Sequence, residues 1–131
     1  MVTFVRDPAG WKQVFQSTGG VVGRHFKSIG HRAMTDARAK VGVDTWQLYY
    51  SINHRTYVNN GNVEMMYGSN NRVALLHHEG SDPHPIPARN PNGYLKFYWK
   101  KKRRWVITRK VNHPGTKPNP YLTYRLRSYV N

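Results

Sequence analysis

Apolar positions along this chain change period twice, from helical spacing to alternation and back towards helical spacing near the end. Val22, Phe26, Ile29, Ala33, Ala37 and Val41 recur at three- and four-residue steps, the spacing that gathers one apolar stripe on one side of an α-helix. Upstream, Asp7 before Pro8 is a helix-start signal, an N-cap followed by proline in the first turn. Gly19-Gly20 and Gly23 then interrupt the pattern, and each glycine inside a helix costs about 1 kcal/mol relative to alanine. A short first helix to about Thr18, a break or kink, and a longer second helix are expected, with Gly42 as the C-terminal cap.

Beyond Gly42, Asp44 or Thr45 is placed to cap a short helical turn that presents Leu48 and Ile52 inward. From Ile52 the period becomes two. His54, Thr56 and Val58 fall on one face with Ile52, and Asn53, Arg55 and Tyr57 on the other. Asn59-Asn60-Gly61 is a hairpin signal, because Asn-Gly supplies the positive φ values of a tight primed turn. The return strand runs from Asn62 to Gly68. Arg72 to Glu79 is a short apolar run ended by Gly80, either one or two helical turns or a strand. Residues 80–93 hold Pro83, Pro85, Pro87 and Pro91 and read as a long extended loop, the place for a flexible arm.

Alternation resumes in Tyr94–Trp99 and Trp105–Val111, two strands joined by Lys100-Lys101-Lys102-Arg103-Arg104. Leu95, Phe97 and Trp99 share one face, and Trp105, Ile107 and Val111 are expected to pair with it, so that five cations project from a hairpin tip. His113 to Leu122 follows, with three prolines and a glycine that neither a strand nor a helix interior accommodates. This is an elbow from sheet to a last helix. Pro120 suits its first turn, and Tyr121, Leu122, Leu126 and Tyr129 make its apolar side. The expected fold is α+β in a single domain over 1–131: a long N-terminal helix packed on a small antiparallel sheet of two hairpins, then a short C-terminal helix.

Charge sharpens this picture. Twenty-one Lys and Arg against six Asp and Glu give +15, spread along all 131 residues. Such an excess points to a polyanionic partner, nucleic acid before membrane surface. Arg24, Lys27, His31 and Arg38 form a basic ridge on the second helix, with Arg32 and Lys40 nearby. It is either an ordinary solvated face or a surface turned to DNA or an acidic neighbour. At the hairpin tip, Lys100, Lys101, Lys102, Arg103 and Arg104 with Trp99 and Trp105 are suited to hold phosphates and stack bases. The alternatives are an edge kept soluble by its lysines or a tip that meets an acidic protein.

Candidate chemistry is sparse. The chain has no cysteine, which excludes disulfides, thiolate metal sites and cysteine nucleophiles. No glycine-rich loop follows a strand in nucleotide-binding style, and Gly19-Gly20 with Gly23 lies within helical sequence. Six scattered acids make paired carboxylates improbable. His77, His78 and His113, with Glu79, Asp82 and His84, match no recognised ligand spacing, and a histidine-based metal nuclease is the one enzyme class left to name. The first residues lack the basic and apolar segments of a signal peptide, and no apolar run reaches membrane-spanning length. A soluble, cytoplasmically made product is expected, with no cofactor and no membrane partner.

Three stretches together carry a resemblance. They are Gly42-Val43-Asp44-Thr45-Trp46-Gln47-Leu48-Tyr49-Tyr50-Ser51-Ile52; the turn His78-Glu79-Gly80-Ser81; and His113-Pro114-Gly115-Thr116-Lys117-Pro118-Asn119-Pro120-Tyr121-Leu122. In order and spacing the chain resembles, roughly from Arg24 to Tyr129, the small neck or tail-component proteins of long-tailed double-stranded DNA phages, grouped with the Z-like tail-completion proteins. The last stretch is the most specific. Trp46 stands where that family usually has glycine, Gly42 where it has proline, and Ser81 where it has threonine. The resemblance implies a virion protein of the head–tail junction, made in the host cytoplasm and acting as part of a ring. Its implied partners are copies of itself, head-completion or connector proteins, tail-terminator or tail-tube proteins, and the packaged DNA. It implies no catalytic residues. Its structural positions are Asp44, Thr45, Leu48, Ile52, Glu79, Gly80, His113, Pro114, Gly115, Pro120 and Leu122. A non-sequence-specific nucleic-acid-binding module is the alternative from another class.

Overall fold

The computed structural model describes residues 3, 5, 7–44 and 46–129, and the architecture is α+β. Helix α1 (Pro8–Phe15) starts as expected, with the Asp7 carboxylate accepting from the Ala9 N–H at 3.0 Å. The break spans residues 16–20, and α2 (Val21–Lys40) follows. Its apolar stripe faces the core, with Ile29, Ala33, Ala37 and Val41 buried and Val22 and Phe26 half-buried. Gly42 is not the helix cap: Val41 ends α2 in an extended conformation. Gly42 instead lets the chain pass the His77 ring, to which a β-carbon there would come within 3.2 Å.

A short helix α3 (Gln47–Ser51) leads into β1 (Ile52–Asn59), which pairs with β2 (Asn62–Ser69) in antiparallel register from Ile52↔Ser69 to Asn59↔Asn62. Asn60 (φ 49°) and Gly61 (φ 78°) form the predicted two-residue turn. Helix α2 packs across this hairpin. The two come close at buried Gly30, where a β-carbon would lie 2.6 Å from His54 Nδ1. Helix α4 (Ala74–Glu79) ends at Gly80, whose φ of 81° turns the chain away.

Three departures from expectation follow. First, the proline-rich segment is extended but not a free arm. Residues His84–Pro87 form β3, antiparallel to β6 (Lys110–His113), in register from His84↔His113 to Pro87↔Lys110. Prolines at alternate positions leave the intervening N–H groups to the partner strand, and Ala88 continues the series by donating to Arg109 O at 2.8 Å. Second, β4 (Leu95–Trp99) pairs with β5 (Arg104–Thr108), and the expected last strand is divided after Thr108 between two ladders. A 3-10 turn at Lys100–Lys102 with Arg103 in the left-handed region (φ 48°) closes the tip in fewer residues than expected. Trp99 therefore opposes Arg104, and Tyr98 opposes Trp105. Trp105 and Ile107 lie on the face opposite Leu95, Phe97 and Trp99, the reverse of the expected pairing. Third, the C-terminal helix is a set of turns ending in a 3-10 turn at Leu126–Tyr129. A run this short gains too few helical hydrogen bonds to propagate an α-helix.

The core is small. Ala37, Val41, Ile52 and Tyr121 form its centre, with Met34, Leu48, Tyr49, Tyr67 and Leu122 packed around them. Among the described residues, no helix is long and apolar enough to cross a membrane.

Candidate functional site

The three stretches that carry the resemblance come together in space, and Tyr121 is at their centre. Its ring is fully buried, with His77 and His78 packed against it at centroid distances of 5.5 and 5.8 Å and its hydroxyl directed at Ala74 O, 3.4 Å away. The turn after α4 meets the elbow through a reciprocal bridge: Ser81 N–H donates to Thr116 O at 3.0 Å, and Thr116 N–H donates to Ser81 O at 2.9 Å. Glycine is required on both sides of this bridge. Gly80 and Gly115 have φ of 81° and 84°. A β-carbon on Gly80 would lie 2.4 Å from Thr116 O, and one on Gly115 would lie 2.4 Å from Ser81 O.

Asn119, held between Pro118 and Pro120, ties two helix ends to the elbow. Its backbone N–H reaches His77 O at 3.2 Å and His78 O at 3.1 Å, and its side-chain Nδ2 donates to Lys40 O at 3.1 Å. These carbonyls lie in the last turns of α2 and α4, where intrahelical donors run out. The third stretch joins through His77, whose Nε2 accepts from Gly42 N–H at 3.2 Å. An accepting Nε2 carries no proton, so the neutral ring has its hydrogen on Nδ1. Sequence reading placed His113 among the structural positions and assigned no histidine to a metal, but it did not single out Asn119. Its signal was present all the same, as an amide residue pinned between two prolines.

Beside this junction, Asp44, Trp46, Leu48, Val73, Leu76 and His77 line part of a cleft of about 660 Å³. Asp44 does not cap α3. Its carboxylate accepts from Lys100 Nζ at 2.9 Å across the surface, which raises the lysine pKa through that hydrogen bond. Trp46 occupies the cap position in the left-handed conformation, φ 63°. This is a conformation that glycine adopts without steric cost, and it occurs at the position where the resembled family usually has glycine. Thr45 lies outside the described residues. Leu48 and Leu122 pack on the core, Ile52 is fully buried, and Pro114, Pro120 and the Glu79 side chain are exposed.

The basic residues separate into two groups. Arg38 is half-buried and turned away from a basic ridge: its Nη2 donates to Ile52 O at 2.8 Å and its guanidinium lies 5.3 Å from the centre of the Tyr49 ring. Arg24 is exposed, with Nη1 on Gly19 O at 2.9 Å, and Lys27 is exposed. Lys100, Lys101, Lys102, Arg103 and Arg104 are exposed at the β4–β5 tip, with Lys102 Nζ 4.5 Å from the centre of the Trp99 ring.

The histidines do not assemble. His113 packs against His84 across β3–β6 at 5.1 Å, and its Nδ1 accepts from Gly115 N–H at 3.1 Å; His77 and His78 flank Tyr121. Among the described residues, no group of three or more His, Asp or Glu side chains is placed to hold a metal ion. No family model, curated protein or solved structure matches this chain.

Proposed function

We propose that this chain is a structural protein of the head–tail junction of a long-tailed double-stranded DNA phage, a neck or tail-completion subunit that joins the filled head to the tail as part of a ring. The observation that carries the reading is the meeting of the three resembling stretches around Tyr121. Residues far apart in the chain, Gly42, His77, Gly80, Gly115 and Asn119, are joined there by direct contacts. They are therefore the residues that a shared fold would need in a fixed order. Trp46 in a glycine conformation adds weight to the alignment of the first stretch.

A ring subunit has to bury apolar surface on its neighbours. Val43, Trp46, Val73, Leu75 and Leu76, all near the cleft or on α4, are exposed apolar side chains in the isolated chain. Clustered exposure of this kind marks interaction surfaces, and cyclic repetition would multiply the +15 charge around an axis along which DNA passes. The neighbours are copies of the chain, connector or head-completion proteins, and tail-terminator or tail-tube proteins, with no membrane partner and no catalytic role. Imaging of the phage particle tests the reading: several symmetry-related copies at the head–tail junction are expected. Particles lacking the protein that still carry joined, infectious tails would overturn it.

A further inference from the structure

The β4–β5 hairpin has two unlike faces. Strand pairing puts Leu95, Phe97, Trp99, Val106 and Thr108 on one side, and all but Trp99 are half-buried. Lys96, Tyr98, Trp105 and Ile107 share the other side, where Trp105 is 63% and Ile107 64% exposed. Tyr98 and Trp105 stand edge to face with centroids 5.7 Å apart, and Lys96 Nζ is 5.3 Å from the centre of the Trp105 ring. As a cross-strand aromatic pair it contributes at most about 1 kcal/mol to the hairpin, while most of the Trp105 surface is left open to solvent.

Charge identifies the occupant. Between Tyr94 and Val111 the chain has eight Lys and Arg and no Asp or Glu. Lys100 is the one of these in an ion pair with a described acid, Asp44. A cationic ribbon beside exposed rings matches a partner that alternates phosphates with flat apolar faces. Base stacking on exposed aromatics is open to unpaired nucleotides, because duplex bases already stack on one another.

We propose that this face of the hairpin binds single-stranded nucleic acid, with bases stacking on Trp105 and Tyr98 and phosphates held by Lys96 and by Lys101, Lys102 and Arg103 at the tip. Lys96 sets the arrangement, since a phosphate on its ammonium has its own base within reach of the neighbouring indole. The binding is independent of base sequence, because nothing on this face reads base edges in a fixed geometry. It does not depend on the head–tail reading and stands or falls separately.

The test is a titration of the full chain with a labelled oligothymidine or oligouridine of about 12 nucleotides, within the site sizes of small single-strand binders, beside a duplex of equal length and polyglutamate. Tighter binding of either single strand than of the duplex, with quenching of tryptophan fluorescence, is expected. Trp105→Ala should weaken single-strand binding about tenfold and leave duplex binding little changed. Trp105→Phe should keep most of the affinity and lose most of the quenching. Replacing Lys101, Lys102 and Arg103 with serine should reduce the slope of log affinity against log salt by about 2. Equal binding of single strand and duplex with no quenching of the unaltered protein would overturn the proposal, leaving only a charged surface. Polyglutamate binding as tight as oligonucleotide binding would overturn it in favour of an acidic protein partner.

Discussion

Single residues matter most here where the backbone has no room. Gly80 and Gly115 combine a left-handed φ with an opposing carbonyl, so an alanine at either must both strain the backbone and displace the bridge. The left-handed penalty is about 1–2 kcal/mol and overpacking adds about 1–3 kcal/mol. Gly115→Ala should therefore lower the unfolding free energy in urea by about 2–5 kcal/mol. Gly19→Ala, with no neighbour within 4 Å of the new carbon, should shift it by less than about 1 kcal/mol. His54 is a second sensitive residue. Burial lowers its pKa from the ordinary 6.5, and His31 and Arg38 lower it further by charge repulsion. The unfolded chain then takes up a proton at this position more readily than the folded one. Its contribution is constant well above pH 6.5, and stability falls as the pH drops from 6.5 through the folded-state value. Urea midpoints measured from pH 8 to pH 5 should decline less steeply in His54→Gln than in the unaltered protein. A parallel decline would exclude this origin.

At the scale of elements, Tyr121 is the part that several segments share. It is fully buried against α4 and the C-terminal end of α2, and the elbow that delivers it is bonded to both helix ends through Asn119. Tyr121→Ala should cost about 3–5 kcal/mol, the range for removing a large aromatic from a core. Tyr121→Phe should cost about 1 kcal/mol or less, because the hydroxyl's bond to Ala74 O is long at 3.4 Å. Thermal or urea unfolding of the two variants separates packing from hydrogen bonding. Strand β3 shows what local reading can miss. Pro83, Pro85 and Pro87 signalled a loop, yet their two-residue spacing is what a strand paired along one edge tolerates, since every missing N–H points away from the partner. The spacing was legible; the partner, β6, was not. The β4–β5 tip failed differently, through parity. A loop one residue shorter than expected exchanged the faces of the side chains in β5, and put Trp105 and Ile107 on the exposed face opposite Leu95 and Phe97.

For the whole molecule, a small core must hold together a chain with a charge of +15. The two ion pairs among the described residues, Lys100–Asp44 and Arg125–Asp36, join groups at or near the surface and offset little of the mutual repulsion. Self-repulsion of this kind disfavours the compact state and is screened by salt, whose screening length falls from about 30 Å at 0.01 M to about 8 Å at 0.15 M. Tm should therefore rise by several degrees over that range in scanning calorimetry. A fall would mean that attractive pairs outweigh the repulsion. Burial of apolar surface on a neighbour would relieve the first deficit and neutralisation by a polyanion the second, and the two would act on different surfaces, the cleft beside α4 and the β4–β5 hairpin.

Sequence by itself determined the elements whose causes are local. The apolar stripe of α2, the Asp7 cap, the Asn60-Gly61 turn and the α+β class each rest on periodicity or on the φ preference of a few adjacent residues. The need for glycine at 80 and 115 was visible as a pattern without its reason. Only the tertiary structure decided what depends on partners distant in the chain. It withdrew Arg38 from the basic surface to Ile52 O, placed Asp44 on Lys100, and closed Gly80-Ser81 against Gly115-Thr116 around Tyr121. The physical reason is that a side chain's role is set by which backbone atoms it can reach, and those come from segments whose separation along the chain carries no information about their distance in space.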